Sequence, residues 1–150
     1  MSADFQDLYQ QIILDHNKRP RNRGKLEEAD RSGSGYNPTC GDEVAVWLKL
    51  DGDVIDQVRF SGEGCAISQA SASLLTLEVG GKSLEAAETR CQELIAALTG
   101  EQEPDDPLGT LGDLAALTGV RQFPARIKCA TLAWHALLAA IEDKDEQVQP

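Results

Sequence analysis

Three of the four cysteines stand where the chain turns or a helix begins. They are Cys40 in GYNPTCGD, Cys65 in SGEGCAIS and Cys129 in ARIKCAT, and Asp42 follows Cys40 by two residues. Three thiolates and one carboxylate complete the four-coordinate shell of zinc, with Zn–S bonds of about 2.3 Å and Zn–O bonds of about 2.0 to 2.2 Å. Pro38 fixes one φ angle, Gly35 and Gly41 permit unusual ones, and Asn37 favours a turn. The first segment therefore reads as a stiff turn that aims sulfur and oxygen at a single point. No CxxC knuckle links the cysteines, so spacing alone leaves metal ligation and ordinary buried thiols both open. A carboxylate is the harder and more replaceable donor among soft sulfurs. Such a mixed site can open or rearrange, which points to chemistry more than to structure.

The residues around these donors carry further signals. A glycine-bearing turn places Cys65 at a helix start, where amide groups and the dipole favour a thiolate. Arg126 and Lys128 flank Cys129 near the start of another helix, where cations gain nothing from the dipole. We read them as serving the neighbouring sulfur or an incoming anionic group. Cys91 lies within an amphipathic helix and is read as a small hydrophobe. His16 and His135 read as structural. GEGCAIS lacks the third glycine and the parallel βαβ setting of a dinucleotide fingerprint. Asp51-Gly52-Asp53 lacks the further oxygen ligands of a calcium loop.

These segments need elements to position them. Phe5, Leu8, Tyr9, Ile12 and Ile13 recur at helical spacing, predicting a helix over 4–17 that runs into the cation-rich HNKRPRNRGKL. Alternating apolar residues predict strands over 43–50 and 54–60, joined by a hairpin turn at Asp51-Gly52-Asp53. A helix packed with small residues follows Cys65 and ends at Gly80-Gly81, and another spans 83–98 with Ser83 as its cap. Roughly residues 100–118 form an acidic insert rich in proline and glycine, expected to be the loosest part of the chain apart from a helical turn at 114–117. A strong helix closes the sequence, with Cys129 at or near its first turn.

Composition sets the class. The 150 residues, 41% of them hydrophobic and 26% charged, suit a single soluble domain over 1–150. A formal net charge of −11 argues against a general nucleic-acid binder. The N-terminus MSADFQDLYQ shows no signal-peptide pattern, and no apolar run approaches bilayer length. We therefore expect a cytoplasmic protein with no membrane partner, whose cysteines stay reduced and unbridged.

NPTCGD, FSGEGCAISQASAS and RIKCATLAWHAL, in that order, closely resemble the three cysteine motifs of SufU-type proteins, relatives of the IscU iron–sulfur scaffolds. The tyrosine-bearing first helix followed by DHNKRPRN resembles theirs as well, so the likeness covers nearly the whole chain. It favours the SufU branch. Lys128 stands where IscU-type scaffolds have histidine, FPARIK replaces the LPPVK chaperone-recognition motif, and an extra segment separates Cys65 from Cys129. The resemblance implies a small α+β domain, with helices on an antiparallel sheet and a zinc site of Cys40, Asp42, Cys65 and Cys129 at one exposed end. It implies a zinc-dependent sulfurtransferase served by a SufS-like, pyridoxal-phosphate cysteine desulfurase and delivering sulfur to a downstream iron–sulfur scaffold. Cys40 would accept the persulfide sulfur while a histidine of the partner takes its place on zinc, and Arg126 would assist. Two alternatives stay open: a scaffold carrying a [2Fe–2S] cluster on the same four residues, and a zinc-stabilised adaptor with no turnover.

Overall fold

The computed structural model describes residues 3–101, 106–143 and 147–150, with side chains on the first helix from Asp7 onward. Residues 102–105 of the expected insert, and the side chain of Phe5, lie outside that set. In chain order the elements are α1 (Ala3–Lys18), β1 (Arg31–Asn37), β2 (Asp42–Asp51), β3 (Val54–Glu63), α2 (Ala66–Val79), α3 (Leu84–Thr99), α4 (Pro107–Leu111), a 3-10 segment (Gly112–Gln122) and α5 (Pro124–Ile141). The three strands form one antiparallel sheet in the order β1-β2-β3. This is the α+β architecture expected. Among the described residues no helix is long and apolar enough to cross a membrane.

The β2–β3 hairpin follows the alternation in the sequence. Val44, Val46 and Leu48 on β2 and Ile55, Val58 and Phe60 on β3 are buried on the core side. Gly52, with φ at +65°, makes the turn between them. The first strand is a difference from the sequence reading, which placed no strand here and took the chain from Gly35 onward as turn. RSGSGYN has the composition of a loop, yet Arg31–Asn37 pairs with β2 from Arg31↔Leu48 to Asn37↔Asp42. The reason is packing. Helix α5 lies directly on β1, and a Cβ at Gly33 would overlap Ala136 O and sit 2.6 Å from Ala140 N. Only glycine lets a strand and a helix backbone approach so closely. Gly33→Ala should therefore destabilise the fold by about 3 kcal/mol, the upper end of overpacking costs. Urea unfolding checks this, and a wild-type midpoint would show that α5 can move away.

Helix α5 is the centre of the molecule. From Cys129 to Ile141 nearly every residue is buried, with Trp134 fully so, because the helix is covered by the sheet and by α2 and α3. Ser83 caps α3 by accepting from the Ala86 amide at 3.1 Å, as its position predicted. Leu111, Leu114, Ala115, Ala116, Leu117 and Val120 are buried. The described part of the expected loose insert is thus helical and contributes to the core, because its apolar residues outweigh its proline and glycine content. The outer edge of β1 is met by the C-terminal residues, where the Tyr36 amide donates to Val148 O at 2.9 Å and the Val148 amide to Ser34 O at 2.9 Å.

Candidate metal centre

The four donors are placed by three separate segments. Because Asn37 pairs with Asp42, residues 38–41 form the β1–β2 hairpin loop, closed by the Gly41 amide on Asn37 O at 2.7 Å. Gly41 takes φ at +75°, which favours glycine. The loop carries Cys40 outward, and Asp42 opens β2 pointing inward, only 1% exposed. Cys65 is the residue preceding α2, separated from the end of β3 by Gly64 alone. Cys129, expected at or near the first turn of α5, lies in its second turn. The helix starts earlier, because Pro124 at its first position is pre-set for helical φ.

The register of α2 against α5 brings the last two together. Ser71 Oγ donates to Ala130 O at 2.6 Å and accepts from Trp134 Nε1 at 3.0 Å, pinning the helices one residue beyond Cys129. The thiol of Cys40 then donates to Asp42 Oδ2 at 2.9 Å, and its sulfur is 3.4 Å from Cys129 Sγ. Donor atoms of Cys40, Asp42 and Cys129 all lie within 4.8 Å of one another. Cys65 stands slightly aside. Its amide donates to Asp42 Oδ1 at 2.9 Å and its thiol to Asp42 Oδ2 at 3.7 Å. A Cβ at Gly64 would overlap the Asp42 carboxylate, so glycine is what lets the β3–α2 turn wrap that group.

This donor set fits zinc. Tetrahedral sulfurs with bonds of about 2.3 Å lie about 3.7 Å apart, so the three closest donors need only a slight outward adjustment to admit an ion. Without one, the donors share protons. Burial pushes the Cys40 and Cys129 thiols up, and their mutual contacts with each other and with Asp42 add to this at Cys129. Burial also opposes charge on Asp42, but hydrogen bonds from Cys40, the Cys65 amide, Cys129 and the Cys65 thiol hold its carboxyl below the usual range. A metal entering here would displace thiol protons.

Arg126 is exposed at the start of α5, beside Cys65 and Cys129, whose thiolate forms would favour its protonated guanidinium. Lys128 is exposed. Cys91 is fully buried, 3.7 Å from Trp134 O, and burial drives its thiol far up. In the HNKRPRNRGKL segment Arg21 pairs with Asp15 at 2.7 Å, and Arg23 Nη2 donates to Gly62 O at 3.3 Å, so this loop borders the β3 end that leads to Cys65. Beyond Cys65 and Arg126 opens a groove of about 1010 Å³, walled by Tyr9, Ile13, Ile67 and Val120 and rimmed by Leu14 and Phe123. Sequence reasoning missed one site residue, Asn37. Its Nδ2 donates to Cys40 Sγ at 3.0 Å, whereas the sequence marked it only as a turn former.

His16 is structural, as expected: 4% exposed, with Nδ1 2.7 Å from Ser73 Oγ. Burial first, and the Arg21 charge second, depress its pKa, and burial depresses that of His135. The unfolded chain therefore binds protons that the fold refuses, so stability should fall as pH drops from about 6.5 toward the lower folded values. Denaturation of wild type and His16→Asn across that window should show a shallower slope in the variant. Equal slopes would remove His16 from the pH dependence.

A family model described as the NifU-like N terminal domain matches residues 8–130. The chain is 47% identical over 136 residues to the zinc-dependent sulfurtransferase SufU of Bacillus subtilis, covering 91% of this chain and 90% of that protein. It is 42% identical over 135 residues to the iron–sulfur cluster assembly scaffold protein IscU of Streptococcus pyogenes, covering 90% and 83%. A crystal structure from Fervidobacterium islandicum, described as a candidate iron–sulfur cluster assembly scaffold for the SUF system, superposes with a TM-score of 0.81 at 32% identity, covering 93% of this chain and 99% of that one.

Proposed function

Because this chain belongs to the family of NifU-like N-terminal domains, we propose that it is a zinc-dependent sulfurtransferase of iron–sulfur cluster assembly. It works in the cytoplasm, takes persulfide sulfur from a SufS-like, pyridoxal-phosphate cysteine desulfurase, and yields it to a downstream scaffold. The observation that carries this reading is the gradation of exposure among the donors. Cys40 is exposed on a hairpin loop, Cys65 is half-buried, and Asp42 and Cys129 are each 1% exposed. Such a set keeps an inner group of fixed donors and offers one sulfur to a partner. Its similarity to a protein named as a zinc-dependent sulfurtransferase supports the same choice.

Zinc held by Cys40, Asp42, Cys65 and Cys129 would keep the thiols deprotonated near neutral pH. The chain's own residues do the rest. The hairpin loop presents Cys40 Sγ, which as a thiolate attacks the terminal sulfur of the partner's persulfide. One S–S bond forms at Cys40, the partner's S–S bond breaks, and the partner's cysteine leaves with the electron pair as a thiolate. No oxidant or reductant is consumed. Arg126, beside Cys65 and Cys129, supplies positive charge where the anionic persulfide arrives. The groove ending at Cys65 and Arg126 gives a partner loop an apolar approach to the same point.

The scaffold reading uses the same donors and is supported by similarity to a protein named as a scaffold. Metal analysis after mild purification, joined to a cysteine desulfurase turnover assay, separates the two. We expect colourless, zinc-bearing protein that raises desulfurase turnover severalfold. Brown protein with acid-labile sulfide and no stimulation would favour the scaffold.

A further inference from the structure

Asn37 ends β1 with its side chain 1% exposed, opposite Asp42. Its Oδ1 accepts from the Thr39 amide at 3.2 Å, and this fixes which end of the side chain faces the sulfur. The group turned to Cys40 Sγ, at 3.0 Å, is the N–H donor. The residue is held on both sides, by the Gly41 amide on its carbonyl and by the ladder to β2. The other two thiols have different surroundings, since Arg126 faces Cys65 and Cys129. Cys40 alone shares a hairpin with a rigid, neutral amide donor.

We propose that Asn37 makes Cys40 the releasable thiol of the set. An N–H donated to a ligand sulfur draws on the lone-pair density that a metal bond would use, so it weakens that bond relative to the other two. Once the sulfur is free, the same donor stabilises its negative charge, as charge-assisted hydrogen bonds do. Both effects favour the detached thiolate. Asn37 thereby touches the reacting atom, and the inference rests on the reading of Cys40 as the sulfur acceptor.

The test uses Co2+ loaded into wild type, Asn37→Ser and Asn37→Ala. Imidazole is titrated in to displace a thiolate, followed by loss of thiolate-to-cobalt charge-transfer absorption. Brief alkylation and peptide mass spectrometry then identify the freed cysteine. Serine keeps an oxygen for the Thr39 amide, as in hydroxyl-capped turns, but is too short to return a donor to the sulfur. We expect wild type to free Cys40, and both variants to retain cobalt yet need about tenfold more imidazole, in line with a hydrogen bond to a charged group. Wild-type behaviour in Asn37→Ser would overturn the proposal, because the amide would then matter only for the turn. Should Asn37→Ala fail to fold, Asn37→Ser decides alone. If wild type itself frees Cys65 or Cys129, the acceptor reading fails, a result distinct from equal release of Cys40 in all three proteins.

Discussion

Chelation of the metal should lower the melting temperature by about 10 °C or more. The donors come from three junctions far apart in sequence: the β1–β2 loop, the β3–α2 turn and the second turn of α5. A ligand present at about a thousand times its dissociation constant adds about 4 kcal/mol to folding. For a domain of this size, each kcal/mol moves the melting temperature by about 2 to 4 °C. The effect should also be site-specific. Cys129→Ser removes a 1% exposed donor from the central helix and should abolish tight zinc binding together with most of this stabilisation. Cys91→Ser should keep zinc, since Cys91 faces Trp134 O within the core, away from the donor cluster. An unchanged melting curve after chelation, or zinc loss in Cys91→Ser, would contradict the ligand assignment.

Cys40→Ala should abolish sulfur uptake even in molecules that keep their metal. Cys40 is the exposed member of the set, so its loss leaves Asp42, Cys65 and Cys129 with the inner contacts intact. The variant should fold and keep zinc at reduced affinity, with water completing the shell, and desulfurase turnover in its presence should fall to the level seen with no acceptor. Asp42→Ala should behave differently. Asp42 gathers hydrogen bonds from Cys40 and from the Cys65 amide and thiol, so its removal loosens the whole cluster and costs zinc before it costs chemistry. Normal turnover with Cys40→Ala would exclude Cys40 as the acceptor.

Much of this arrangement is legible in the sequence because it rests on local signals. The hairpin at Gly52, the Ser83 cap and the turn positions of Cys40 and Cys65 each follow from one or two residues with strong backbone preferences. What escaped depends on contacts between distant segments. RSGSGYN reads as loop until α5 is seen lying on it, since glycines that weaken an isolated strand are what allow that contact. Between Leu111 and Val120 the sequence marks a helical turn at 114–117, and what it leaves unread is the longer helical run around it and its burial against the core. The donor role of Asn37 was hidden for a related reason. Its turn propensity is a property of the residue, but the sulfur it faces is placed by the hairpin.

Locating the transferred sulfur tests the central claim most directly. Zinc-loaded protein is incubated with a cysteine desulfurase and cysteine, digested without reductant, and every cysteine peptide is examined by mass spectrometry for one added sulfur. The exposure gradient and the hairpin geometry lead us to expect persulfide on Cys40 alone, absent when zinc has been removed beforehand. Persulfide on Cys65 or Cys129, with Cys40 unmodified, would contradict it.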